Sequence, residues 1–494
     1  MKRMKFFIAS LAAVLLVALP LAGQNVSKIK FPPLNQIAIP NVERVTLDNG
    51  MRLYILEDPS LPVVRASVRV NCGAYLEPPS KLGLAQICGQ VLRTGGTAKW
   101  TGDQIDAALE AVGASVETGI GATSGSASMF ALSENLDLGL EVLAEVLRRP
   151  TFSQEKIDLA KVGLRSNISR RNDDPFGIGI REFLKVVYGA ESPYARVPEY
   201  ATVDAVTQDD LKLFHLAFFH PENVQIAIWG DITKDDIVAR VNQYFGDWAK
   251  GNVPVPQPPK VDYTYESRIY FANKEDVNQT NILIGHIGGY MTDPDYPALI
   301  VMNNVLGGSF ASRLFNNVRS KEGLAYAVGG AYTASITYPG AFYSFASTKS
   351  ETTGKAIKEI INQIKSMQTL PPSPAEMSIG RDGYLNSFVF NFDDRSELIS
   401  RMMTYDFYGL PEDYLAKEKS AVEKVTAADV MAAAQKHIHS DELKIVVIGK
   451  GSDFETPLDQ LGLGPVDTLD ITIPAGAPKQ ELAITPENLA KGKE

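Results

Sequence analysis

The segment VVRASVRV, residues 63–70, alternates apolar and polar positions with the period of two of a half-buried strand. Residues 84–94 then space their apolar side chains as a helix does, and Thr101 stands where a cap would start a second helix, GDQIDAALEAVG. Two further strand-like runs, ASVETGI and SGSASMFAL, precede Ser133, which is placed to cap ENLDLGLEVLAEVLRR. The predicted order is strand, helix, helix, strand, strand, helix.

That order recurs. QTNILIGHIGGY reads as a strand, YPALIVMNNVLG and ASRLFNNVRS as helices, LAYAVGGAYTA and AFYSFAST as strands, and TTGKAIKEIINQIKSM as a helix. Both series also close alike, with FFHPENVQIAIWGDIT and KHIHSDELKIVVIGKGS each running from helix end through polar turn and apolar strand to Gly. One matching element arises by chance, whereas a matching series argues for an internal duplication of about two hundred residues. Strands grouped beside helices predict an α+β fold of two homologous domains, each a mixed, mostly antiparallel sheet with helices packed on one face. The domains are expected at 40–250 and 267–460, joined by a proline-rich linker at 251–266. The tail, 461–494, lacks hydrophobic periodicity and is expected to be loosely structured.

The length of 494 residues, 45% hydrophobic and 21% charged, agrees with two or more globular domains. At the start, Lys2, Arg3 and Lys5 precede an apolar run from Phe6 to Ala22. Residues 1–23 are therefore expected to be a cleaved secretory signal peptide, giving a periplasmic or secreted protein with no stable membrane insertion. An uncleaved N-terminal membrane anchor is the alternative. Loss of the three cations takes the formal charge from −10 to −13, and no basic block with interleaved aromatics follows, which argues against a nucleic-acid partner. Cys72 and Cys88 are the only cysteines, and the sequence leaves a disulfide and two free thiols equally open.

The stretch NCGAYLEPPSKLGLAQICGQVLRTGGT, residues 71–97, resembles the start of the pitrilysin and insulinase metallopeptidases. In that family's His-x-x-Glu-His motif, two His four residues apart share a helical face and hold zinc, and the Glu takes a proton from metal-bound water. Here Gln86 and Gln90 fall on the His positions and Gly89 on the Glu position. The third ligand of the family, a Glu on a later helix, falls on Asn167 in LRSNISRRNDDP. A carboxamide is a feeble zinc ligand and Gly offers no base, so no metal is expected in this chain. None of the five His (215, 220, 286, 437, 439) has metal-motif spacing; 215 and 220 are read as packing and capping groups, 286 as a strand residue, and 437 and 439 as a solvated helix end.

A second family signature survives in LGGSFASRLFNNVRSKEGLAYAV, residues 306–328. The resemblance places Arg319 and Tyr326 as the Arg and Tyr that reach a peptide held at a zinc site, donors suited to a carbonyl oxygen that gains charge. It implies a non-zinc subunit of a heteromeric metalloendopeptidase, inactive alone and forming half of a clamshell chamber. The implied partner is a homologous subunit with an intact HxxEH motif and the zinc, and the implied substrates are peptides or unfolded segments. Two rivals are a non-catalytic scaffold or peptide-binding protein of the same fold, and a solitary enzyme of another chemistry. Against the second, Ser309 lacks a nucleophile elbow and is better read as part of a helix stop.

Overall fold

The computed structural model describes residues 42–475 apart from 256 and 393; residues 1–23, the expected signal peptide, and the tail beyond 475 lie outside the described residues. Each half builds one six-stranded sheet. The first comprises β1 (Glu43–Thr46), β2 (Arg52–Glu57), β3 (Val63–Val70), β4 (Ser115–Ile120), β5 (Gly125–Leu132) and β6 (Val224–Gly230), in spatial order β1-β2-β6-β3-β5-β4. The second comprises β7 (Arg268–Asn273), β8 (Gln279–Ile287), β10 (Ala325–Tyr332), β12 (Ala341–Lys349), β13 (Lys444–Gly449) and β14 (Val466–Thr468), in order β14-β7-β13-β8-β12-β10. The five strands after the first edge correspond one to one. β2 and β6 pair parallel, as do β7 and β13, and the remaining equivalent pairs are antiparallel. Only the leading edge differs: β1 precedes its neighbour and runs antiparallel, whereas β14 comes last in the chain and runs parallel.

The longer helices are α1 (Leu84–Thr94), α2 (Gly102–Glu110), α3 (Leu136–Arg148), α4 (Gln154–Arg170), α5 (Pro175–Tyr188), α6 (Gln208–Phe218), α7 (Lys234–Phe245), α8 (Tyr296–Leu306), α9 (Thr353–Thr369), α10 (Arg395–Phe407), α11 (Tyr414–Lys424) and α12 (Ala427–His437). Thr101 caps α2 in a reciprocal box, accepting from Gln104 N at 3.2 Å while its own N–H donates to Gln104 Oε1 at 3.0 Å. Within each half the helices cover one sheet face, as the amphipathic spacing implies.

The other face is covered by an exchange between the halves. Helix α5 lays Ile178, Phe183 and Val187 against Leu283, Val446 and Ile448 of the second sheet. Conversely, α10 lays Ile399 and Met403 against Tyr54, Leu56 and Trp229 of the first. Both exchanged helices start at an Asp cap: Asp174 accepts from Phe176 N and Gly177 N, and Asp394 accepts from Ser396 N. The central strands β6 and β13 are consequently buried at every position, which is why VQIAIWG and KIVVIG are largely apolar without alternation, Gln225 and Lys444 excepted.

Several local expectations are corrected. Ser133 does not cap α3; its hydroxyl donates to Asp231 Oδ2 at 3.0 Å, and the helix begins only after a 3-10 turn over Ser133–Asn135. QTNILIGHIGGY is two strands, because after β8 the chain leaves the sheet and β9 (Gly289–Tyr290) pairs instead with β11 (Ala334–Ser335). ASRLFNNVRS is not an ordinary helix: Phe315–Lys321 is π-wound. The tail is ordered at least to residue 475: β14 pairs with β7, Asn172 donates to Ile471 O at 2.6 Å, and Ile473 packs on the first core. The last two His are only partly solvated: His437 contacts Asp295 at 2.9 Å, and the His439 ring lies 3.9 Å from the Tyr265 ring centre with about a third of its side chain exposed.

Candidate functional site

Helix α1 owes its position to its buried face, on which Ile87, Cys88, Val91 and Leu92 enter the first core. Its start is tied down by Glu77, a buried carboxylate that accepts from Ala85 N at 2.6 Å and whose pKa is pushed up by burial. Cys72 and Cys88 are free, buried thiols; burial raises Cys72 to about 12 and drives Cys88 well above the ordinary range, so both are unreactive in the folded chain.

Gln86 and Gln90 point outward from α1, and Asn167 points outward from α4, which packs against α1. Among the described residues none of the three carboxamides has a hydrogen-bond partner. Gly89 lies between them, buried against β4, with its carbonyl accepting from Thr118 Oγ1 at 2.6 Å. A Cβ on Gly89 would overlap the backbone of β4, striking Ile120 N and coming within 2.7 Å of Gly119 C. The sequence shows only that this residue carries no base; the fold shows that no side chain fits there. Two carboxamides, a glycine wedged on a strand and a third carboxamide do not fit zinc, and among the described residues no three of His, Cys, Asp and Glu come together to hold a metal.

The second signature sits on irregular backbone throughout. Arg319 lies on the π-wound segment, Gly323 follows in the left-handed region at φ 65°, and Tyr326 is the extra residue of a β-bulge where β10 pairs with β12. The bulge turns the Tyr326 ring out, leaving it 76% exposed. The guanidinium of Arg319 rests over the ring of Phe315 at 4.6 Å, and Phe310 meets Phe315 edge-on at 5.2 Å. Neither the guanidinium nor the Tyr326 hydroxyl has a hydrogen-bond or ion-pair partner among the described residues. The aromatic support was missed in the sequence, although Phe315 standing four residues before Arg319 was the available signal. Arg319 and Tyr326 belong to the second half, and no hydrogen bond joins them to Gln86, Gln90 or Asn167.

An apolar cleft of about 650 Å³ opens beside Gln86, walled by Ile120 and Ala122 after β4, Ile180 and Leu184 of α5, and Tyr194. Its charged residues are engaged elsewhere. Arg181 donates to Glu182, to Arg171 O and to Asn172, and Arg196 donates to Ala74 O and Glu77 O.

A duplicated α+β unit, each copy a six-stranded mixed sheet covered by helices, defines the class. Residues 52–177 match the family model described as Insulinase (Peptidase family M16), and residues 205–384 match the Peptidase M16 inactive domain. The chain carries both domains of the M16 (insulinase) peptidase family. Similar proteins include an uncharacterized zinc protease of Mycobacterium leprae, 24% identical over 78% of this chain and 87% of its own. Another, from Bacillus subtilis, is 27% identical over 58% of this chain and 69% of its own. A crystal structure titled peptidase M16 inactive domain, from Pseudomonas fluorescens, superposes with a TM-score of 0.75 at 25% identity, covering 85% of this chain and 100% of that one. A protease from Helicobacter pylori shares the fold at a TM-score of 0.73 and 18% identity, over 83% and 100% of the two chains.

Proposed function

We propose that this chain is the non-zinc subunit of a heteromeric M16 metalloendopeptidase that acts on peptides or unfolded segments outside the cytoplasm. Its own metal chemistry is closed off, because the position of the general base is filled by the β4 backbone and the ligand positions carry Gln86, Gln90 and Asn167. The observation that carries the reading is the opposite condition of Arg319 and Tyr326: the Tyr326 ring is turned outward, the half-buried Arg319 guanidinium rests on Phe315, and neither has a hydrogen-bond or ion-pair partner among the described residues. Zinc and the general base belong to the homologous partner in this reading. Arg319 and Tyr326 donate to the peptide carbonyl oxygen as charge builds on it, and Phe315 holds the guanidinium in place without neutralising it.

The experiment is cleavage of a quenched fluorescent peptide by this chain, by an HxxEH-bearing homologue, and by their mixture, each with and without chelator. Chelator-sensitive turnover that appears or rises sharply only in the mixture supports the reading. A mixture no faster than the homologue alone makes this chain a scaffold or peptide-binding protein.

A further inference from the structure

We infer that Asn317 is a positioning residue for Arg319, acting through a hydrogen-bond relay of fixed polarity, Asn317 to Gln363 to Glu359, that holds open the wide turn carrying the guanidinium. The inference rests on the proposed function for the task of Arg319, and on geometry for how Arg319 is held.

A π-wound turn is rare beside the α-helix that the same residues could form, so contacts outside the turn have to keep it open. Here the Glu322 N–H donates to Asn317 O, five residues back, at 3.0 Å, and Arg319 lies inside that turn. Val318 is fully buried in the second core, and its carbonyl accepts from Leu324 N at 2.9 Å. Among the described residues Asn317 alone of Phe315–Lys321 reaches another helix by a side-chain hydrogen bond, its Nδ2 donating to Gln363 Oε1 of α9 at 2.9 Å. Before the segment, buried Arg313 donates to Glu376 at 2.6 Å and to Ser366 O at 3.1 Å. Arg313 thus fixes where the chain enters, and Asn317 fixes how it is wound when it reaches Arg319. Tightening the turn would carry Arg319 around the helix axis while Tyr326 stayed with the paired strand β10, so the two donors would no longer converge.

The relay has one sense. Gln363 Nε2 donates to Glu359 Oε1 at 2.7 Å. A carboxylate only accepts, so it draws the Nε2 end of Gln363 toward itself and leaves Oε1 facing residue 317, which has to be a donor. Asn supplies that donor, and Asp, of the same size, does not.

The test is therefore an isosteric swap of polarity. Asn317→Asp puts a carboxylate at each end of the relay, with one amide between them that can face only one. Adding Glu359→Gln lets the relay run backwards, the new amide donating to Gln363 Oε1 and Gln363 Nε2 donating to the new carboxylate. In the active mixture Asn317→Asp should lower kcat about tenfold to a hundredfold with KM and assembly little changed. The double variant should recover most of the loss, and Asn317→Asp should cost nothing further in an Arg319→Ala background. Hydrogen exchange of the purified chain reads the same variants without turnover. The Glu322 and Leu324 amides should exchange faster in Asn317→Asp and return toward wild type in the double variant. Where thermal melts show that Asn317→Asp does not fold, Asn317→Ala is read by both measurements, with the same losses expected. Unchanged exchange in the single variant, no recovery of exchange on adding Glu359→Gln, unchanged kcat in an active mixture, or a further kcat loss on Arg319→Ala overturns the inference. A wild-type mixture without turnover removes the proposed function, and the exchange rates then decide by themselves whether the relay holds the turn.

Discussion

The two halves repeat one unit, a helix, a left-handed Gly and an edge strand, and treat it in opposite ways. In the first half, α2 is regular and boxed by Thr101, Gly113 turns the chain at φ 64°, and β4 pairs with β5 in unbroken register. In the second half the helix is π-wound, Gly323 turns at φ 65°, and β10 carries a bulge. The residue three beyond each Gly shows the effect: Val116 is fully buried, while Tyr326 is 76% exposed. The same topology thus yields a packing residue in one copy and an outward donor in the other. Local irregularity, not a different fold, makes the difference.

The largest expected effect follows from that contrast. In the reconstituted complex, Arg319→Ala should lower kcat by about 10²–10³ with assembly intact, as removal of a single oxyanion donor does, and Tyr326→Phe should lower it by less. The equivalent change in the first half, Val116→Ala, should leave kcat unchanged and lower stability by about 1–3 kcal/mol, measured by urea denaturation.

The exchange of helices allows the comparison to be broken at the level of folding. Phe183→Ala, a cavity between a first-half helix and the second sheet, should cost about 3–5 kcal/mol and lower the melting of both halves in a single calorimetric transition. Two separated transitions would show that the halves are independent. Smaller still, Gly89→Ala should cost roughly 1–3 kcal/mol through overlap with β4. Rebuilding the motif as Gln86→His/Gly89→Glu/Gln90→His should not create chelator-sensitive turnover. Thr101→Ala, which removes a cap that the π-wound segment lacks, should cost ~1 kcal/mol.

Acid should affect the halves together. Burial depresses His215 in the first half and His286 in the second, each to about 4. Their unfolded forms titrate near the ordinary value, so between roughly pH 6.5 and 4 the unfolded chain binds more protons and stability falls as pH is lowered. Melting temperature against pH should show this slope, and His286→Gln should flatten part of it.

Much of this architecture could be read in the sequence, and the parts that could not share a physical cause. Alternation in VVRASVRV and the Thr101 cap are local signals, and both describe what forms. The apolar strands that became β6 and β13 were legible, yet nothing in them said that a second cover came from the opposite half. Helix α5 reads as amphipathic without revealing which sheet it docks on, because periodicity fixes a face and not a partner. The π-winding around Arg319 and the bulge at Tyr326 depend on tertiary contacts, so NNVRS looked like any helix. On α1 and α4 the resemblance placed Gln86, Gly89, Gln90 and Asn167 where a metal motif would stand. That Gly89 is wedged against Ile120 required the fold.

The exchange of α5 and α10 also sets an order in time. After β6 is synthesised at Gly230, the outer face of its sheet, with Tyr54, Leu56 and Trp229, has no cover until Arg395–Phe407 emerges. At the usual ~5–20 residues per second of synthesis, that wait is on the order of ten seconds or more. For that interval the nascent first half carries a bare apolar sheet face, and whatever receives the chain must shield it until the second half arrives.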